Sequence, residues 1–259
     1  MTDELLVPVA RQLIEAARTH MPVERVSRRF PDLALQDAYR IQHIGMQLRL
    51  AAGERLAGHK VGLTSAAMQQ QVGIDEPDSG LIFQQTVAPS RAEVRADDFM
   101  HPKIETEIAF RLGSDLTQPT DLPGVRAAVA EVLLAFELLD TRYDSWDITL
   151  VDSIADNACC AGVITGSAVP YTPDWDLAGE QITVEADGTV AATGSGKDVL
   201  GDPLQALVWL THRLPALGVT LRAGDLVLAG SVHASLPLTP GTSYRATSTR
   251  LPAVQLQVA

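Results

Sequence analysis

Residues 101–110 read His-Pro-Lys-Ile-Glu-Thr-Glu-Ile-Ala-Phe. On a strand, alternate side chains share a face, so Lys103, Glu105 and Glu107 point one way while Ile104, Thr106, Ile108 and Phe110 point toward a core. Adjacent carboxylates repel, and a hard cation such as Mg²⁺, held by oxygen ligands, relieves that repulsion. The competing reading is a solvated strand face with Lys103 as counter-ion, because exposed Glu-x-Glu pairs are common. A second block, Leu-Leu-Ala-Phe-Glu-Leu-Leu-Asp, places Glu137 in an apolar run. An acid there is costly to bury unless it is paired or bound to metal. Three carboxylates from two strands would form an open metal site with positions left for water and substrate. A salt bridge from Glu137 to Arg142 fits the same spacing.

Gly58-His-Lys-Val-Gly-Leu-Thr-Ser65 puts Lys60 on a short apolar strand, where an ammonium can bind a carboxylate or stabilise an enolate. On its own, such a lysine is more often at the surface. Asp75-Glu-Pro-Asp-Ser-Gly80 reads as a turn, and Asp78 within it is a candidate general acid or base, although most such aspartates only cap or turn the chain. His59 and His101 are ordinary unless the fold turns them inward. Cys159 and Cys160 are the only cysteines. Adjacent cysteines close a strained ring, so no disulfide is expected, and small buried residues are the plainer reading.

The elements that must position these groups fall into two textures. Residues 1–55 read as a helical region. Leu5, Val9, Leu13 and Ala16 or Ala17 recur at helical spacing within Glu4–Arg18, and 35–52 repeats the pattern up to Gly53. From residue 56 onward, short apolar runs are punctuated by Gly, Pro and Asp. Strands are predicted at His59–Leu63, Ile104–Leu112, Leu133–Leu139, Gly162–Thr165, Ile182–Ala186, Asp225–Ala229 and Thr242–Ala246. Helices are predicted at 64–72, 121–132 and 202–217. The fold class is α+β, with a β-rich catalytic core over 56–259 integrated with the helical region as one domain.

Composition narrows the function. The chain has 259 residues, 46% of them hydrophobic, enough for a sizeable core. A formal charge of −12 argues against a nucleic-acid partner, which needs a basic face. Eight acids against two bases within 121–160 concentrate negative charge, as a solvated face or a cation site would. The first residues lack a basic segment followed by an apolar run, and no stretch approaches about 20 uncharged apolar residues. The expectation is a soluble cytoplasmic protein without a membrane partner.

Taken in order, GHKVGLTS, DEPDSG, HPKIETEIAF, FELLDTRYDSW and VDSIADN resemble the 2-oxopent-4-enoate (2-hydroxypenta-2,4-dienoate) hydratases. That group sits with the 4-oxalocrotonate decarboxylases in the fumarylacetoacetate hydrolase superfamily. AAGERLAGHKVGLTS and GKDVLGDPLQALVWL extend the likeness to roughly residues 35–230. The resemblance implies a mixed β-roll core behind a helical N-terminal region. It implies Glu105, Glu107 and Glu137 as ligands of Mg²⁺ or Mn²⁺, Lys60 beside the substrate, and Asp78 as the aspartate of the hydratase turn. It also makes Leu63, Cys160, Ser231 and His233 candidate substrate-binding residues, His233 and Ser235 lying near the position where relatives' substrate pockets close. The implied partner is a small 2-oxo acid of the kind met in aromatic-ring degradation. The implied assembly is a homo-oligomer, or a hetero-complex with a related enzyme. The implied reaction is hydration, with decarboxylation of a related acid as the nearest alternative and an inactive partner subunit as the non-enzymatic one. Three departures bear on substrate identity: Ser79 stands where the hydratase turn carries Phe, Cys159-Cys160 where relatives carry Ser-Ser or Ser-Cys, and the C-terminal Gly230-Ser-Val-His-Ala-Ser-Leu-Pro region differs most.

Overall fold

The computed structural model describes residues 1–64 and 77–259. Helix α1 (Asp3–Thr19), the short α2 (Val26–Arg29) and α3 (Leu35–Ala51) come first. The strands follow as β1 (Leu56–Gly62), β2 (Asp78–Phe83), β3 (Val87–Pro89), β4 (Ala92–Val94), β5 (Lys103–Leu112), β6 (Val129–Leu139), β7 (Cys160–Thr165), β8 (Val169–Pro170), β9 (Gln181–Ala186), β10 (Thr189–Ser195), β11 (Leu226–Ser231), β12 (Leu236–Pro237), β13 (Ser243–Ser248) and β14 (Val254–Val258). Helices at Leu122–Ala128, Leu150–Ala155 and Leu204–Arg213 are interspersed among them.

The larger sheet runs β2-β1-β11-β5-β6-β7-β3, with β12 beside β5 and β8 beside β6; the smaller runs β10-β9-β13-β14-β4. The pairing of β1 with β11 is parallel and that of β11 with β5 antiparallel, so the large sheet is mixed. Its registers sort the side chains of each strand onto two faces. One face carries Ile104, Ile108, Phe110, Leu134, Phe136 and Val227, packed against Ile182, Val184, Ala246 and Leu256 of the smaller sheet in the main core. The opposite face carries a smaller apolar cluster of Ile82, Ala109, Leu133, Ala135, Val163 and Leu228. Lys60, Asp78, Glu105, Glu107 and Glu137 all lie on strand positions of this second face.

The helical region packs on the face predicted from Val9, Leu13 and Ala16, with Leu6 rather than Leu5 facing inward in the first turn. Leu6, Val9, Ala10, Leu13 and Ala16 are buried, whereas the predicted core residue Leu5 is half exposed. Leu6, Val9, Ala10 and Leu13 form a separate apolar cluster with Tyr39, Ile41, Tyr143 and Ile154. The helix predicted for 121–132 stops at Ala128, because the chain then enters β6 and gains a full ladder of hydrogen bonds with β5. The helix predicted for 202–217 narrows to Leu204–Arg213 followed by a 3₁₀ turn. The helix predicted at 64–72 lies outside the described residues apart from Thr64.

The turn predicted around Asp78 is instead strand β2, antiparallel to β1 with Gly62 opposite Asp78 and Lys60 opposite Gly80. This strand ends the sheet order, so the backbone groups of Ser79 and Leu81 have no neighbouring strand. Three side chains replace one. The Ser79 amide donates to Tyr39 Oη at 3.3 Å, and Gln42 Nε2 donates to the Ser79 carbonyl at 2.8 Å. Asn157 accepts the Leu81 amide through Oδ1 at 2.8 Å and donates Nδ2 to the Leu81 carbonyl at 2.9 Å.

Candidate active site

In the β5–β6 register Glu105 stands directly opposite Glu137, and Glu107 is two residues further along the same face. A ligand oxygen from each of the three lies within 4.8 Å of the others. Glu107 and Glu137 are fully buried and Glu105 nearly so. Apart from the Lys60 ammonium 3.5 Å from Glu137 Oε1, both Glu137 oxygens and Glu107 Oε1 have no hydrogen-bond partner among the described residues. Buried carboxylate oxygens left unsatisfied in this way are far too costly to stand alone. Their number, hardness and convergence fit a divalent cation, so the residues present suit the ion that the sequence suggests.

The salt bridge offered as the alternative for Glu137 does not form. Arg142 instead makes a short charge-assisted bond from Nε to Asp156 Oδ1, and its amide donates to Oδ2 at 2.9 Å. Nor is Lys103 the counter-ion: its ammonium lies 4.2 Å over the Trp146 ring. The charge facing the trio is Lys60, whose Nζ is 3.5 Å from Glu137 Oε1 and donates to the Ala158 carbonyl at 3.1 Å.

Electrostatics follow from this crowding in the metal-free state. Burial, then Glu137, raises Glu105 to about 7. Burial, then Glu137 and Glu105, raises Glu107 well above the usual carboxylate range. Burial alone would lower Lys60, but Glu137, Asp78 and Glu105 together overcome it and hold the ammonium charged well above its ordinary value. Asp78 is buried, and that burial raises it against the opposing pull of Lys60. Its Oδ2 accepts the Ser153 hydroxyl at 3.4 Å, while Oδ1 has no partner among the described residues. A Cβ on Gly62 would collide with Asp78 Oδ1 and come within 3.0 Å of Lys60 Nζ, so these two groups lean over the same glycine.

The remaining candidates separate. Cys160 is buried, and its thiol is pushed well above the ordinary range by burial and then by neighbouring Glu137. Cys159 is also buried, and neither cysteine is in a disulfide. Leu63 follows β1 in the left-handed region, at φ 56. Ser231 pairs with Glu107 across β11 and β5, but its hydroxyl donates to the His233 carbonyl at 2.7 Å. His233 Nδ1 meets the Ala234 carbonyl at 2.7 Å, so these two residues form a self-contained turn. His59 points away from Lys60 and is fully buried without a ring partner among the described residues, and burial lowers its pKa to about 4. His101 contributes its backbone: its amide donates to Asp140 at 2.6 Å and its carbonyl accepts Trp146 Nε1 at 2.9 Å, which fixes the start of β5.

Sequence reasoning missed the supports. Gly230, at φ 115 in the irregular end of β11, turns its amide onto Glu107 Oε2 at 2.6 Å. Ser153 and the Ala158 carbonyl, contacting Asp78 and Lys60, were also invisible as site residues. Only Gly230 carried a local signal, since a glycine ending an apolar strand marks a bulge or close approach.

A mixed sheet whose one face gathers three convergent carboxylates, a charged lysine and an aspartate has the donor set of a divalent-cation site. The chain belongs to the fumarylacetoacetate hydrolase family, whose C-terminal domain description, fumarylacetoacetate (FAA) hydrolase C-terminal, matches residues 56–259. It is 38% identical over 247 residues to a 2-keto-4-pentenoate hydratase of Paraburkholderia xenovorans (strain LB400), covering 94% of this chain and 91% of that protein. Its fold superposes with a TM-score of 0.96 on 4-oxalocrotonate decarboxylase from Pseudomonas putida G7 in complex with magnesium and adipate, at 29% identity and covering 100% and 99% of the two chains. Fumarylpyruvate hydrolase from Pseudomonas aeruginosa, in complex with Mn²⁺ and pyruvate, shares the fold at 15% identity and a TM-score of 0.62, covering 79% of this chain and 89% of that one.

Proposed function

We propose that this enzyme adds water to a 2-hydroxy-2,4-dienoic acid to give a 4-hydroxy-2-oxo acid, using Mg²⁺ or Mn²⁺ held by Glu105, Glu107 and Glu137. The observation that carries the reading is the pairing of that unsatisfied carboxylate trio with Lys60 and Asp78 on one sheet face. Likeness to the Paraburkholderia hydratase supports the choice of reaction. When bound, the cation supplies Lewis acidity for the keto and carboxylate oxygens of a 2-oxo acid.

The reaction divides into two proton-coupled stages. First the 2-hydroxy-2,4-dienoate ketonises: the enol proton leaves its oxygen, C5 gains a proton, and a conjugated 2-oxo-3-enoate forms. Water then adds across C3 and C4, with its oxygen on C4 and a proton on C3. Lys60, kept cationic by surrounding acids, stabilises the substrate carboxylate or the negative charge that develops on the C2 oxygen as the enol proton leaves. Asp78, whose burial favours the protonated form, holds or moves the proton and orients the water. The buried apolar cluster around the trio excludes bulk solvent and strengthens both interactions.

A second reading is decarboxylation of a related 2-oxo acid, favoured by the superposition on the Pseudomonas decarboxylase. The experiment that decides is product mass after incubation with 2-hydroxypenta-2,4-dienoate and Mg²⁺, with a chelator control. A metal-dependent gain of one water is expected. Release of CO₂ from 4-oxalocrotonate, without hydration of the dienoate, would transfer the assignment to the decarboxylase reading.

A further inference from the structure

Lys60 reaches the trio from an edge region of the sheet, and something must hold its flexible four-carbon stem in place. Its Nζ donates to the Ala158 carbonyl, in a segment where Asn157, Ala158 and Cys159 all adopt left-handed backbone, at φ 57, 48 and 60. Three consecutive non-glycine residues in that region are strained and persist only when the surroundings over-determine them. Two anchors surround the segment. Ahead of it, Asp156 is tied to Arg142 by the buried ion pair. Within it, the Asn157 amide completes both outward backbone bonds of Leu81 in β2. The contact is close-packed: a Cβ on Gly80 would lie 2.6 Å from the Asn157 carbonyl and 3.0 Å from Lys60 Cγ. Asn is also the non-glycine residue best suited to left-handed backbone.

We infer that Asn157 is a positioning residue for Lys60, its amide clamping the left-handed segment to β2 so that the Ala158 carbonyl holds the ammonium beside Glu137. Asp78 begins the same strand, so one side chain registers both catalytic groups against each other. The inference rests on the proposed role of Lys60. The Asn157 side chain bonds the Leu81 backbone and, at 3.4 Å, the Cys160 carbonyl, and makes no hydrogen bond to Glu105, Glu107 or Glu137. Its removal therefore acts through Lys60 and leaves the cation site unchanged.

The test is a double-mutant cycle on the full chain with Mg²⁺ and 2-hydroxypenta-2,4-dienoate, using Asn157→Ala and Lys60→Ala singly and together. Lys60→Ala alone is expected to lower kcat/KM. Asn157→Ala is expected to lower kcat at least about tenfold, with the Mg²⁺ activation constant within about twofold of wild type. In the Lys60→Ala background the same change is expected to alter residual turnover by less than about twofold, because the group it positions is gone. Equal fold losses in both backgrounds would show a purely structural role and overturn the inference, as would full turnover in Asn157→Ala. Should Asn157→Ala lose its folded circular dichroism, Asn157→Asp, which keeps the acceptor for the Leu81 amide, enters the cycle under the same criteria. Wild-type turnover by Lys60→Ala would be seen before Asn157 is altered; it would remove the proposed role of Lys60 and this inference with it.

Discussion

Glu107 takes the Gly230 amide on one oxygen and leaves the other, deep inside the protein, with no partner among the described residues. A neutral amide at that position keeps the shape but removes a ligand charge. Glu107→Gln is therefore expected to cut Mg²⁺-dependent turnover at least about a hundredfold. In chelator its melting temperature should hold or rise, because repulsion with Glu105 and Glu137 is relieved. Mg²⁺-titrated rates and thermal melts check both halves, and unchanged turnover would exclude Glu107 as a ligand. Asp78 has a different job, being joined to Ser153 rather than to the trio. Asp78→Asn is expected to slow hydration about 10²- to 10⁴-fold while calorimetric Mg²⁺ affinity stays the same. Parallel losses of both would count against an acid–base role.

At the level of elements, the site depends on one irregular strand end and one edge strand. Between Leu228 and Ser231 the β11 ladder shifts register against β5, and this shift aims the Gly230 amide at Glu107. Gly230 sits at φ 115, and a Cβ there would collide with the Thr64 hydroxyl. Gly230→Ala is expected to cost about 1–3 kcal/mol of stability through the forced backbone. It should also weaken Mg²⁺ binding, since the amide swings away from the carboxylate. Denaturant unfolding and calorimetry measure the two effects, and an unaltered protein would mean that the strand end relaxes freely. Edge strand β2 is held by Tyr39, Gln42 and Asn157, so α3 does more than cover a hydrophobic face. It completes the strand that carries Asp78.

Across the whole molecule, buried titratable groups give two opposing pH responses. In chelated protein, Glu105 titrates near 7 when folded, above its ordinary 4.5. Its contribution is complete below about pH 4.5 and is lost as pH rises through 7. Added Mg²⁺ should therefore raise the melting temperature more at pH 7.5 than at pH 5, because the cation needs the deprotonated trio. A larger shift at pH 5 would contradict the carboxylate site. His59 has the reverse sign: its folded value of about 4 lies below its ordinary 6.5, so its contribution is complete above 6.5 and falls with pH. From His59 alone the protein should lose about 2 kcal/mol between pH 8 and pH 5. His59→Leu should flatten that acid limb in denaturant melts, and an unchanged slope would place the sensitivity elsewhere. Among the described residues no helix is long and apolar enough to cross a membrane.

Much of this site was legible because it is local. The alternation from Lys103 to Phe110 requires Glu105 and Glu107 to share a face, whatever they meet there. An acid at position 137 inside an apolar run requires a partner. Helical spacing likewise marked Glu4–Arg18 and 35–52, since side chains three and four apart must face one way. Other features depended on neighbours distant in sequence. Asp75-Glu-Pro-Asp-Ser-Gly has turn residues, yet Asp78–Phe83 became a strand because β1, Tyr39, Gln42 and Asn157 satisfy its backbone. Val129 left a helical pattern because β5 offered a ladder. Arg142 chose Asp156 over Glu137, which left Glu137 to the trio and to Lys60. The sequence by itself determined which residues share a face along β5, along β6 from Leu133 to Leu139 and along the two long N-terminal helices. Tertiary structure alone decided their partners, because the Ala158 carbonyl is 98 residues from Lys60 and the Gly230 amide 123 from Glu107. No local periodicity spans such separations; the path of the chain through the sheet does.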